Sequence, residues 1–201
     1  MRLLGSLFIV LALHITIGMS VIEFEGKKPK IHPSVFLAPG SWVIGDVTLD
    51  EDVNVWTNAV IRGDDDKVVI GARTTVLEGC LIEAPTGNPV NIGSDVIISH
   101  GATIHGAKIG DKAIIGIQAV ILDCAEIGEG AMVGSGALVA PRKVIPPKMV
   151  ALGIPAEPKS EVTEANVQYM KKEHERTLSK AKVYKQIYRG KRIVHATKEY
   201  S

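Results

Sequence analysis

The sequence predicts an all-β solenoid of short repeated coils, with one long helix at its C-terminal end. Three observations carry that expectation. Aliphatic residues recur every six positions over about two thirds of the chain. Composition is 46% apolar but only 4% aromatic, with 20 glycines, which suits narrow repeated coils better than a large irregular core. After Pro155 the six-residue beat stops and a glycine- and proline-free stretch rich in Lys, Glu and Ala begins.

The beat runs through Leu49, Val55 and Ile61, then Ile70, Val76 and Ile82. It resumes as Ile92, Ile98, Ile104, Ile109, Ile115, Ile121, Ile127, Val133, Val139 and Ile145. Every step from Ile92 onward is six residues except the five between Ile104 and Ile109. The residues that follow are often Gly-Asp, Gly-Glu or Gly-Ser, as in "IGSDVI", "IGDKAI" and "IGEGAM". Each hexad therefore reads as one short strand and one turn, its aliphatic residue pointing inward to stack on the next coil. Helical spacing of 3.6 is not kept. Three hexads per coil would close a triangular prism, expected over residues 31–156.

Two stretches break the beat. "RGDDDKVV" lies between Ile61 and Ile70, and "EAPTGNPVN" lies between Ile82 and Ile92. Both are expected as loops leaving the prism, with Asp65 and Asp66 in a solvated turn. Apolar residues near helical spacing, including Val162, Ala165, Tyr169, Leu178, Ala181, Tyr184 and Ile187, predict a helix from about Glu161 to Tyr188, within segment 160–189 and lying along the prism. Residues 190–201 are expected to form a mobile, solvated tail.

Residues 1–20 stand apart. Arg2 is followed by an apolar run from Leu7 to Ile17, too short for a bilayer span of about 20 residues. It fits a signal peptide, and equally an extension upstream of a start at Met19. Export follows from the first reading and a cytoplasmic location from the second. Elsewhere Lys and Arg (23) balance Asp and Glu (22), so no broad field draws in nucleic acid, and no membrane span is expected in the mature domain. Cys80 and Cys124 are too few for a disulfide framework and are expected as buried thiols without a role.

The chemistry-bearing stretch is "SHGATIHG", Ser99 to Gly106. His100 falls two residues after the inward Ile98 and His105 one after Ile104, so both can project outward near a corner. Zinc takes three or four ligands, and two histidines need further partners. Packing at a subunit seam, with their nitrogens satisfied by backbone, is the other reading.

"AVIRGDDDKVVIGARTTVLEG", the histidine stretch and "VALGIPAEP" together resemble the gamma-class carbonic anhydrases over roughly Ile31 to Tyr188. The resemblance implies a left-handed parallel β-helix, a homotrimer and a metal site at the subunit interface. It also implies zinc, with iron or cobalt as alternatives, and carbon dioxide and bicarbonate as substrates. His100 and His105 match the second and third zinc histidines. The first becomes Glu83, while a motif Gln becomes Leu77 and a motif Asp becomes Glu78. Two His plus one Glu with an open fourth position is a known catalytic zinc set. Arg62 and Asp64 are implied at the site as an ion pair across the seam, and Glu78 as a proton acceptor, a ligand-orienting group or an interface ion pair. The implied reaction is metal-dependent reversible hydration of carbon dioxide, with a metal-activated hydroxide as nucleophile. Two other classes remain open: an inactive trimer serving as a binding or assembly module, and a hexapeptide acyltransferase using a histidine as general base.

Overall fold

The computed structural model describes residues 20–190; the expectations for residues 1–19 and 191–201 lie outside the described residues. Short strands stack in parallel on three faces of a prism. One face holds Phe36–Leu37, Asn54–Val55, Thr75–Val76, Ile97–Ile98, Ile114–Ile115, Met132–Val133 and Met149–Leu152. A second carries Leu81–Glu83, Thr103–His105, Val120–Ile121 and Leu138–Val139, and a third Val90–Ile92, Lys108–Ile109, Glu126–Ile127 and Val144–Ile145.

Strand alternation explains the core. Ile61, Ile82, Ile104, Ile121 and Val139 are in register on successive coils and wholly buried. Ala102, Ala119 and Ala137, two residues before the last three, are also buried and fill the narrow space beside them. The glycine after the aliphatic residue is a packing requirement. A Cβ at Gly110 would lie 2.6 Å from the Glu129 amide nitrogen of the next coil. Corners turn through left-handed backbone, adopted by Asn58, Arg73, Asp95, Lys112, Gln118 and Lys148 among others, which are uncommon sites for such φ values.

The first break in the beat is not a loop. Val60–Ile70 is one strand that pairs with Leu81–Glu83 through its first residues and with Val90–Ile92 through its last. It turns a corner beside Trp42–Leu49, and the register shifts there from Gly45–Gly63 to Val47–Val68, so that residues 64–67 bulge opposite Asp46. The extra residues lengthen the rung, so Asp65 and Asp66 sit in a strand and not in a turn. The second break does leave the prism, as a loop over residues 84–89.

The helix α1 spans Glu164–Gly190 and begins three residues later than expected. Glu157–Glu161 first pairs antiparallel with Met149–Leu152. Thr163 then caps α1: its hydroxyl accepts from the Asn166 amide at 3.2 Å, and the Asn166 side chain accepts from the Thr163 amide at 3.0 Å. The second half of α1 packs on the first face through Ala181 and through Tyr184, whose ring meets Trp56 edge to face at 5.4 Å. Tyr169 is exposed, unlike the expectation from spacing.

Arg73 forks onto Asp95 of the next coil with two hydrogen bonds of 2.7 Å, and the Arg73 carbonyl accepts from His174 Nε2 on α1 at 2.7 Å. The Arg73 hydrogen bonds hold the Asp95 carboxyl below the usual carboxylate range, against a smaller opposing effect of burial. A depressed folded pKa contributes stability above the unfolded value of about 4, and that contribution is lost as pH falls through the folded value. Asp95→Asn is expected to cost about 0.5–1 kcal/mol at pH 7, given the partial exposure of the pair. The difference from wild type should shrink on acidification below about pH 4, measured by urea unfolding at several pH values.

Candidate metal centre

Two outward columns of side chains carry the expected site. On the second face, Arg62, Glu83 and His105 occupy successive coils in register, each just beyond an inward isoleucine. The Arg62 Nη2 donates to Glu83 Oε1, and Arg62 Nε lies 3.2 Å from Asp64 Oδ1. The second column runs up a corner, where the Gly101 amide donates to the Glu78 carbonyl and the Gln118 amide to the His100 carbonyl. This stacking puts His100 above Glu78, with His100 Nδ1 2.8 Å from Glu78 Oε2.

His105 Nδ1 is 3.1 Å from Asp123 Oδ2. A carboxylate only accepts, so the proton sits on Nδ1 and the Nε2 lone pair is left available. Asp123 Oδ1 in turn accepts from the Asn88 side chain at 3.4 Å, and Cys124 Sγ donates to Asn88 Oδ1 at 3.1 Å. The five-residue step explains how Asn88 arrives there. The corner after His105 is shortened to Gly106, whose added Cβ would lie 2.9 Å from Asn88 Cβ and 3.3 Å from Pro85 Cδ. The missing residue makes room for the loop over residues 84–89 to cross the corner.

Asp123 and Asn88 were not among the expected site residues. One signal could have found Asp123: the five-residue step makes this coil 17 residues long, which places Leu122 in line with His105 and Asp123 one residue beyond it. Leu77 turns away from this chemistry, packing against the cluster of Phe36, Trp56 and Ala181 beneath α1. A packing role thus accounts for an apolar residue there. Cys80 is buried and its thiol is pushed up to about 12 by burial, which leaves it unreactive. Cys124 is exposed, contrary to the expectation of a buried thiol, because it occupies a left-handed corner position.

Glu83 and His105 are brought side by side, whereas His100 stands in the turn that precedes the Thr103–His105 strand. Five residues rising about 3.3 Å each separate the two histidines by up to roughly 16 Å. Accordingly, among the described residues, no group of three His, Cys, Asp or Glu side chains converges within one chain to hold a metal ion. Carboxylate and imidazole are nonetheless the donor types that zinc takes. Glu83 keeps Oε2, and His105 and His100 each keep Nε2. Glu83 and His105 each have a hydrogen-bonded partner on the other atom, Arg62 and Asp123, the outer-shell arrangement that orients metal ligands.

The family model described as bacterial transferase hexapeptide (six repeats) matches residues 106–141. Over 141 residues the chain is 47% identical to the "Probable carbonic anhydrase" of Methanocaldococcus jannaschii, covering 70% of this chain and 89% of that protein. It is 36% identical over 165 residues to the "Carbonic anhydrase" of Geobacillus kaustophilus, covering 82% of this chain and 91% of the relative. Among solved structures, a "putative acetyltransferase" of Bacillus cereus superposes with a TM-score of 0.83 at 36% identity, over 85% of this chain and 99% of the other. Among the described residues no helix is long and apolar enough to cross a membrane. With the solenoid, its repeats and these relatives together, the chain belongs to the hexapeptide-repeat family of gamma-class carbonic anhydrase-like proteins.

Proposed function

We propose that a homotrimer of this chain binds one metal ion, zinc or alternatively iron or cobalt, at each subunit seam and reversibly hydrates carbon dioxide to bicarbonate. Glu83 and His105 of one copy and His100 of the next would be the ligands. The observation that carries the reading is the in-register pairing of Glu83 and His105, each held by its own partner, Arg62 and Asp123, with one ligating atom to spare. Bound there, the metal would supply Lewis-acid activation of water.

This chain's residues do the rest. Asp123 fixes the His105 tautomer, while Glu78 places a carboxylate beside His100 Nδ1 at the other column. Arg62 restricts Glu83 to one-oxygen ligation and ties it to Asp64. Compared with three neutral imidazoles, a carboxylate at position 83 lowers the net positive charge of the centre by one and makes bound water less acidic. Activity is therefore expected to rise at higher pH than in a Glu83→His variant.

Metal analysis of anaerobically purified trimer, followed by stopped-flow carbon dioxide hydration, tests the proposal. One metal per chain and measurable hydration are expected; no metal after reconstitution would sink it. The Arg62–Glu83 contact supports a second reading, because a carboxylate already paired with guanidinium is a weaker cation ligand. On that reading the trimer is an inactive binding or assembly module, and metal-free or metal-loaded but inactive protein would favour it. Acetyl-CoA turnover on an amine and hydroxyl panel tests the acyltransferase alternative.

A further inference from the structure

The repeat is broken twice beside His105, and both breaks end at the same side chain. Residues 84–89 leave the prism after Glu83, and the next coil is shortened to Gly106 immediately after His105. Insertions in a solenoid gather on one face, often the functional one. This insertion delivers one side-chain amide, that of Asn88.

Three constraints fix where that amide points. The loop closes on a turn over residues 85–88, in which the Asn88 backbone N–H donates to the Pro85 carbonyl at 2.9 Å and Gly87 supplies a positive φ of 80° at the third position. The turn then seats against a corner that has no side chain. A Cβ at Gly106 would lie 2.9 Å from Asn88 Cβ and 3.1 Å from Asp123 Oδ1, and Gly106 is itself tied to both neighbouring coils: its N–H donates to the Glu83 carbonyl at 3.0 Å, and its carbonyl accepts from the Cys124 N–H at 2.7 Å. Lastly, the two ends of the amide are told apart by their partners. Cys124 Sγ donates to Asn88 Oδ1 at 3.1 Å, which turns Nδ2 toward Asp123 Oδ1, 3.4 Å away. A carboxylate only accepts, and only the NH2 end of the amide can donate to it.

Asp123 therefore accepts from two sides, from His105 Nδ1 at Oδ2 and from Asn88 Nδ2 at Oδ1. Its side chain is 37% exposed, so the bond to His105 alone leaves the carboxylate free to turn toward solvent. A second donor on the far oxygen removes that freedom.

We infer that Asn88 is a positioning residue of the candidate metal centre: its amide holds Asp123 in the pose that keeps the His105 proton on Nδ1 and leaves Nε2 free. The inference rests on the reading of His105 as a ligand, but its first readout needs no metal.

Nitrogen chemical shifts of His105 in the metal-free full chain, at about pH 8 where imidazole is neutral, provide that readout. Wild type should carry the proton on Nδ1, whereas Asn88→Ala and the isosteric Asn88→Asp should each move part of the population to the Nε2-protonated form. Thr86→Ala, an exposed change in the same turn, should leave the tautomer as in wild type. Zinc affinity by chelator competition should fall about three- to tenfold in Asn88→Ala, at or below the low end of the loss for a direct partner of a ligand, because Asn88 is one bond further out and its bond is longer. A double-mutant cycle, read in both quantities, separates positioning from a merely structural role. In an Asp123→Asn background Asn88→Ala should have no further effect, since Asn88 acts through Asp123; a structural role would give the same loss in both backgrounds. An unchanged tautomer in both Asn88 variants, or a loss of zinc affinity that adds in full to that of Asp123→Asn, would overturn the inference. A wild-type chain that takes up no zinc while its His105 tautomer still responds to Asn88 would sink the ligand reading and uphold the action of Asn88 on Asp123.

Discussion

His105→Ala is expected to remove metal from the trimer, with a loss in affinity beyond the roughly 10–100-fold that a missing outer-shell partner costs. Asp123→Asn should fall inside that range, because the imidazole stays in place and only its orientation and tautomer are released. Metal affinity by competition with a chelator reads both, and nitrogen chemical shifts of His105 report the tautomer without reference to activity. If Asp123→Asn leaves affinity and tautomer unchanged, Asp123 is not a positioning residue. Glu83→Gln should weaken binding as well, since an amide oxygen is a poorer ligand than a carboxylate. Arg62→Gln carries an informative sign. If Arg62 chiefly competes with the metal for Glu83, its loss tightens binding; if it chiefly orients Glu83, its loss weakens it.

Ile104→Ala should cost about 3–4 kcal/mol of unfolding free energy, the range for deleting most of a fully buried aliphatic side chain. The position stacks between Ile82 below and Ile121 above, so the cavity has no surface side chain able to close it. Coils in a solenoid are stabilised mainly by their neighbours, so a defect in a central coil weakens two interfaces at once. Urea unfolding with circular dichroism measures the change; a loss below about 1 kcal/mol would show that the coil relaxes around the void. Glu83→Ala, one position from the inward Ile82, is the control and should change stability by about 0.5 kcal/mol or less.

Comparing sequence and structure, what was legible followed the period. The six-residue beat identified the inward isoleucines because their burial depends on local spacing alone. It failed at "RGDDDKVV", where a long strand keeps its pairing on both sides of a corner while bulging past a shorter neighbour, a relation between neighbouring coils that no single hexad reports. The helix start was misplaced because spacing cannot see the antiparallel return of Glu157–Glu161 or the Thr163 cap. At the candidate site, the outward direction of His100 and His105 followed from the beat. Asp123 and Asn88 did not, since Asp123 reaches His105 from the next coil and Asn88 reaches Asp123 from a loop. The cross-coil spacing is 18 residues above Ile121 but 17 across the shortened corner after His105, and it emerges only once three faces per coil are established.

The outward column of Arg62, Glu83 and His105 is anchored by Ile61, Ile82 and Ile104, whose packing is indifferent to what their neighbours carry outside. Scaffold and chemistry are therefore separately heritable. A lineage can exchange the residue at position 83 without passing through an unfolded intermediate, and the same single change can be reversed. Proteins that differ at such outward positions can therefore share one body while differing in their chemistry.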